Sequence, residues 1–190
     1  MKNIAIFGSG SGTNAENIIK YFSNKKCAKV RLVLSNRREA LVLKRAAMHN
    51  VKNIFFDRTG FYNSDKVLNC LLTEEIDFVV LAGFLWLVPD NILDRFKGRV
   101  INIHPALLPA HGGKGMYGEK VHRSVIDNRE PESGITIHFV NQKYDEGDII
   151  FQAKCKVDPS DTPDSLAVKV HALEYEHYPK IIEELILRLP

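Results

Sequence analysis

The chain has 190 residues, 45% of them hydrophobic and 26% charged, the balance of one ordinary soluble domain that needs no disulfide or metal staple. A net charge of +3 gives no case for nucleic acid and favours small anionic ligands at most. Three widely spaced cysteines, no room for a signal peptide before the first strand-like run and no apolar run near the ~20 residues of a membrane span together argue for a reducing cytoplasm.

Asn3 to Phe7 is a short β-like run that ends in the glycine-rich stretch Gly8 to Asn14. Ala15 to Phe22 follows as a helix, with Ile18, Ile19 and Phe22 on one face. Val30 to Leu34 reads as a second strand, Ala40 to Met48 as a second helix and Asn53 to Phe56 as a third strand. A helix over Val67 to Leu72 leads to Phe78 to Leu81, a strand apolar enough to be buried on both faces. Val100 to Ile103 is the fifth strand. This alternation predicts an α/β fold with an open, mostly parallel sheet wound on both sides. The pattern changes after His104. Thr136 to Val140 and Ile149 to Val157 predict an antiparallel hairpin around the polar segment 141–148. A long terminal helix follows, with Thr162 as N-cap and Pro163 at its first position. Leu166, Val170, Leu173, Ile181, Ile182 and Leu185 supply its apolar stripe, and Pro179 is expected to kink it or split it in two. No linker divides the chain, so residues 1–190 are expected to form a single domain.

Three places have the residues for chemistry. Three glycines in Gly8 to Asn14 let backbone N–H groups approach an anion at a helix N-terminus. The stretch is neither a Walker loop nor a full dinucleotide fingerprint, because Thr13 occupies the last glycine position. Its natural ligand is the phosphate of a mononucleotide or sugar phosphate, and a tight turn without a ligand is the alternative. Asn102 and His104 stand two apart at a strand's C-terminal end, on one face, where open α/β sheets bind ligands. An amide beside an imidazole is equipment for stabilising an oxyanion and moving a proton. A core histidine next to a turn residue has the same sequence signature. The glycine-rich loop that follows, Gly112 to Gly118, reads as a lid, an anion contact or a plain surface loop. The third place is the acidic hairpin tip Lys143 to Asp148. It is either a solvated turn or a means of bringing Asp145 to His104, where the carboxylate would raise the imidazole pKa.

The order of these places resembles the folate-dependent glycinamide ribonucleotide transformylases of purine synthesis, nearly end to end. The resemblance rests on Asn-Ile-His-Pro-Ala-Leu-Leu-Pro at 102–109, Leu-Ala-Gly-Phe at 81–84, His138-Phe-Val with Asp145 at the expected distance, and the strand from Ile150 to Lys154. The motif Asn-x-His-Pro-x-Leu-Leu-Pro is shared with the wider 10-formyltetrahydrofolate hydrolases and transferases. It is therefore more specific for the chemistry than for the acceptor. The resemblance implies a Rossmann-like, formyltransferase-type domain acting on glycinamide ribonucleotide, as a monomer or homodimer, with 10-formyltetrahydrofolate as formyl donor and no metal. It implies catalytic roles for Asn102, His104 and Asp145. Gly12, Thr13 and Asn14 would hold the substrate phosphate, and Glu174 the ribose. Leu85, Trp86, Leu87 and Val88, with Asn141, Gln142, Lys143 and Tyr144, would enclose the pterin. A cis peptide is implied at Leu108-Pro109. Two departures stand out: Trp86 sits where the family often has an arginine, and Phe61 to Lys66 lacks the arginine some members offer to the phosphate. A hydrolase with water as acceptor and a non-catalytic mononucleotide-binding module are the alternative functions.

Overall fold

The computed structural model describes residues 1–189. Five parallel strands form first: β1 (Lys2–Phe7), β2 (Ala28–Ser35), β3 (Lys52–Phe55), β4 (Phe78–Leu81) and β5 (Val100–His104). Two antiparallel strands, β6 (Glu132–Phe139) and β7 (Ile149–Lys156), complete a seven-stranded sheet in the order β3-β2-β1-β4-β5-β6-β7. The chain moves outward from β1 on one side and from β4 on the other. The crevice beyond the C-terminal ends of these two strands is therefore the switch point at which such sheets bind ligands.

Side-chain alternation builds two cores. Ile4 and Ile6 of β1, Phe78 and Val80 of β4, and Ile101 and Ile103 of β5 face one layer. Their neighbours Ala5, Phe7, Val79, Leu81 and Val100 face the other. The first layer is covered by α1 (Thr13–Phe22), α2 (Leu41–Met48), α6 (Glu119–Asp127) and α7 (Pro163–Leu187). The second is covered by α3 (Arg58–Tyr62), α4 (Lys66–Thr73) and α5 (Asp90–Arg95). Most of these strand residues are at or near zero exposure. Each large aliphatic or aromatic side chain so buried contributes about 1.5–3 kcal/mol.

The terminal helix begins as the sequence predicts. Thr162 Oγ1 accepts from Ser165 N–H at 3.2 Å and Ser165 Oγ accepts from Thr162 N–H at 3.0 Å, a reciprocal cap. The helix is not split at Pro179; it runs for 25 residues through that position. Proline cannot donate to the carbonyl four residues back, which is that of Tyr175. That carbonyl accepts instead from Asn17 Nδ2 of α1, at 2.9 Å. Next to the proline, the fully buried Tyr178 anchors the helix to the sheet, its hydroxyl donating to the Leu81 carbonyl at 2.9 Å. Three short helices, α3, α5 and α6, lie in stretches for which the sequence reading gives no element. Leu108-Pro109 is cis. Among the described residues no helix is long and apolar enough to cross a membrane.

Candidate active site

A cavity of about 390 Å³ opens beyond the C-terminal ends of β1, β4 and β5. Its floor is the glycine loop. Gly12 caps α1 with a left-handed backbone (φ 77°), and no side chain caps the helix. The α1 N–H groups are therefore left to a ligand or solvent. A Cβ at Gly12 would lie 2.5 Å from the Cα of Val42, so α2 backs the loop too closely for any side chain. Val42 N–H and Arg45 Nε–H hold the Gly10 and Ser11 carbonyls at 3.2 and 2.9 Å. Gly12, Thr13 and Asn14 all line the cavity, and so does Glu174 of α7, which is 4% exposed. Asn14 Nδ2 donates to Glu174 Oε2 at 2.8 Å. The predicted phosphate and ribose residues thus come together across 160 residues of chain.

Asn102 and His104 project from the end of β5 into the same cavity, on the shared face that period two requires. Asp145 reaches them from the β6–β7 loop, where it adopts a left-handed backbone (φ 57°). Gly147 permits that loop shape, because a Cβ there would stand 1.7 Å from the Phe139 carbonyl oxygen. Gly113 N–H donates to Asp145 Oδ2 at 3.0 Å. Asn102 Nδ2 donates to Asp145 Oδ1 at 3.4 Å, and His104 Nδ1 lies 3.5 Å from Oδ2. The other ring nitrogen of His104, Nε2, is 2.8 Å from the His111 carbonyl. A carbonyl only accepts, so Nε2 carries a proton and Nδ1 is the nitrogen that titrates.

His138 belongs to this cluster, although the sequence offers it only as part of a motif and not as a site residue. Its Nε2 lies 3.2 Å from Asn102 Nδ2 and 3.6 Å from Asp145 Oδ1, while its Nδ1 donates to the Phe139 carbonyl at 2.8 Å. The antiparallel register sets His138 directly opposite Asn102. Pairing the two predicted strands in register is the signal that could find it.

The electrostatics correct one expectation. His104 is 3% exposed, and burial lowers its pKa below the ordinary imidazole value; Asp145 and the His111 carbonyl pull upward without prevailing. The carboxylate at 3.5 Å is beyond a close hydrogen bond, so its attraction does not offset the lost hydration. Burial also opposes ionisation of Asp145. His138, His104 and the Gly113 N–H together outweigh it and hold the carboxyl below its usual range. The resting pair is a neutral imidazole beside an ionised carboxylate.

The predicted pterin residues divide. Leu85 and Tyr144 line the central cavity. Leu87, Val88 and Gln142 line a separate, more open groove of about 780 Å³, with Tyr62 to Asp65 and Pro89 to Asn91. Trp86 lines neither; it packs edge-on against Phe56 and tilted against Phe61 and Tyr62, under the Arg58 guanidinium at 5.6 Å. An aromatic side chain at that position is drawn into the apolar layer beneath it, where an arginine would stay at the surface. Asn141 and Lys143 stay at the hairpin tip, with Asn141 Oδ1 accepting from Lys143 N–H at 2.9 Å.

A switch-point cavity with a helix terminus free to take an anion, together with an amide, an imidazole and a carboxylate, has the equipment of a group-transfer enzyme. Residues 2–182 match the family model for formyl transferases, and the chain belongs to that family. It is 37% identical over 187 residues to the chloroplastic phosphoribosylglycinamide formyltransferase of Arabidopsis thaliana, covering 95% of this chain and 64% of the plant protein. The phosphoribosylglycinamide formyltransferase of Haemophilus influenzae is 35% identical over 188 residues, covering 96% of this chain and 86% of that protein. Among solved structures, glycinamide ribonucleotide transformylase 1 from Symbiobacterium toebii superposes with a TM-score of 0.89 at 33% identity, over 98% of this chain and 88% of the other.

Proposed function

We propose that this chain is a single formyltransferase domain that moves a formyl group from 10-formyltetrahydrofolate to the amine of glycinamide ribonucleotide. The observation that carries the reading is the convergence of Asn102, His104 and Asp145 at one end of the cavity that holds the glycine loop at the other. A ribonucleotide phosphate seated at α1 sends its amine toward β5.

The neutral amine attacks the formyl carbon. The carbonyl oxygen becomes an oxyanion beside the Asn102 amide, a donor worth on the order of 3 kcal/mol when well placed. Attack leaves a proton on the new nitrogen substituent. His104 Nδ1 accepts it, and the resulting imidazolium is bonded by the His111 carbonyl and faced by Asp145. The low resting pKa keeps Nδ1 free to accept. The developing oxyanion then favours the charged ring. The same proton passes to N10 of the folate as the bond from N10 to the formyl carbon breaks. The formyl group is now on the substrate nitrogen, and tetrahydrofolate leaves. Leu85 and Tyr144 lie beside the reacting end and supply the folate contacts there, with the groove at Leu87, Val88 and Gln142 continuing outward for the rest of that molecule.

The test is formyl transfer assayed with both substrates and with each omitted. Formylated glycinamide ribonucleotide forming only when both are present is the expected result. Formate release at an equal rate without the ribonucleotide would make the protein a hydrolase. Phosphate-ligand binding with no folate binding would make it a silent nucleotide-binding module.

A further inference from the structure

Two helices send imidazoles into the cavity: His122 from α6 and His171 from α7. Their ring centroids are 6.4 Å apart. His171 Nδ1 lies 2.7 Å from Glu174 Oε2, the same oxygen that accepts from Asn14 Nδ2 at 2.8 Å. One carboxylate oxygen therefore joins this imidazole to the side chain of Asn14, in the first turn of α1. His122 is 2% exposed, its side chain hydrogen bonds to no described residue, and its Nδ1 is enclosed without a partner.

Among the described residues, no lysine or arginine lines this cavity, while Glu119, Asp145, Asp164 and Glu174 do. A phosphate monoester carries close to two negative charges at neutral pH. The terminus of α1 offers the equivalent of about half a positive charge. Against four carboxylates, a dianion there gains from a further cation, and among the side chains that line the cavity only imidazoles can supply one. His171 donates through Nδ1 to Glu174, so its Nε2 donates as well only when the ring is charged. A neutral His171 presents a lone pair to the phosphate instead.

Resting on the proposed ribonucleotide substrate, we propose that His171, backed by His122, is the cationic half of the phosphate site, so that substrate affinity follows imidazole protonation. His171 faces Glu174 and Asp164 on its own helix, stacks on Tyr175 and meets His122 from α6. Its bond to Glu174 raises its pKa. His122 faces His171 and Glu174 from α7 and His104 from β5, with Glu119 a turn earlier on α6 paired to Arg123. Burial, then the neighbouring His171, lowers the pKa of His122. A bound dianion raises both pKa values, adding to the effect of Glu174 on His171 and opposing the effect of burial on His122, so binding takes up protons.

Ribose 5-phosphate titrated calorimetrically between about pH 7 and about pH 9, where the phosphate is already a dianion, reads this directly. The wild-type protein is expected to lose about tenfold or more in affinity across that range, with proton uptake on binding. His171→Lys should hold its affinity over the range, because the lysine stays charged. His171→Gln should bind weakly at both ends. In the formyl-transfer assay His171→Gln should raise the KM for glycinamide ribonucleotide about tenfold, with kcat within about twofold. Affinity independent of pH in the wild type, or an unchanged KM in His171→Gln, overturns the proposal. If ribose 5-phosphate binding follows the expected pH course and no formyl transfer occurs, the assigned reaction fails and the phosphate site stands. If formyl transfer occurs and binding is flat with pH, the reaction stands and the cationic role of His171 fails.

Discussion

Asp145 shows how much a single side chain coordinates. It accepts from Gly113 N–H and Asn102, and it faces both His104 and His138. Asp145→Asn keeps the shape and removes the charge. Turnover is expected to fall by about 10² to 10⁴, with folding unchanged by circular dichroism. The sign of the pH effect follows from the charge. Asp145 raises the pKa of His104 against the larger lowering by burial. Its neutralisation therefore lowers that pKa further, and the acid limb of kcat/KM moves to lower pH. A limb that stays in place or moves up would remove His104 as the titrating group. Asn102→Ala should lower kcat by about 10² to 10³ and leave KM nearly unchanged, since its amide serves the oxyanion and not the ground state. At this scale, much of the site is legible in the sequence. Asn102 and His104 share a face because strands alternate, and that needs no tertiary information. His138 is not legible as a site residue, because its place depends on which residue of β5 it pairs with. The direction of the His104 pKa is hidden for a related reason: depth of burial is a property of the packed protein and not of the motif.

Among the elements, the glycine loop and the last helix carry the site. Gly12→Ala places a methyl group against the backbone of α2 at a left-handed φ. The loop must move, and the α1 N–H groups move with it. A loss of about 1–3 kcal/mol by urea denaturation is expected, with a sharply raised KM for the ribonucleotide. At α7, Thr162→Ala removes one arm of the reciprocal cap and should cost about 1 kcal/mol, with activity retained at low temperature. Long elements with clear periodicity can be read from the chain. Helices α3 and α5, at five and six residues, are too short to show a period. Helix α6 buries only Val121, His122 and Val125, so its apolar face is too thin to recognise beside a glycine-rich loop. The split that Pro179 suggests does not occur, for a different reason: the carbonyl it leaves without a donor is served by Asn17, a residue 158 positions from Tyr175 in the chain.

At the scale of the whole molecule, Tyr178 joins the last helix to the centre of the sheet. Its hydroxyl meets the Leu81 and Ile101 carbonyls, on neighbouring strands, in a fully buried setting. Tyr178→Phe should cost about 1–2 kcal/mol in equilibrium unfolding and leave kcat unaltered, because the ring still fills its place while two carbonyls lose a donor. The doubly wound architecture is legible because apolar strands and amphipathic helices alternate. The division of the predicted pterin residues between two openings is not, since that depends on how the loop after β4 turns. The two cores also differ in when they can form. Every buried residue of one comes from Ala5 to Val100. The other draws on Ile4 at one end and Ile186 at the other. During synthesis on the ribosome, one side of the growing sheet can therefore be sheltered halfway through, whereas the opposite side stays incompletely covered until the final helix emerges. The same helix brings Glu174 and His171, so a nascent chain has no finished cavity before its last side of sheet is closed.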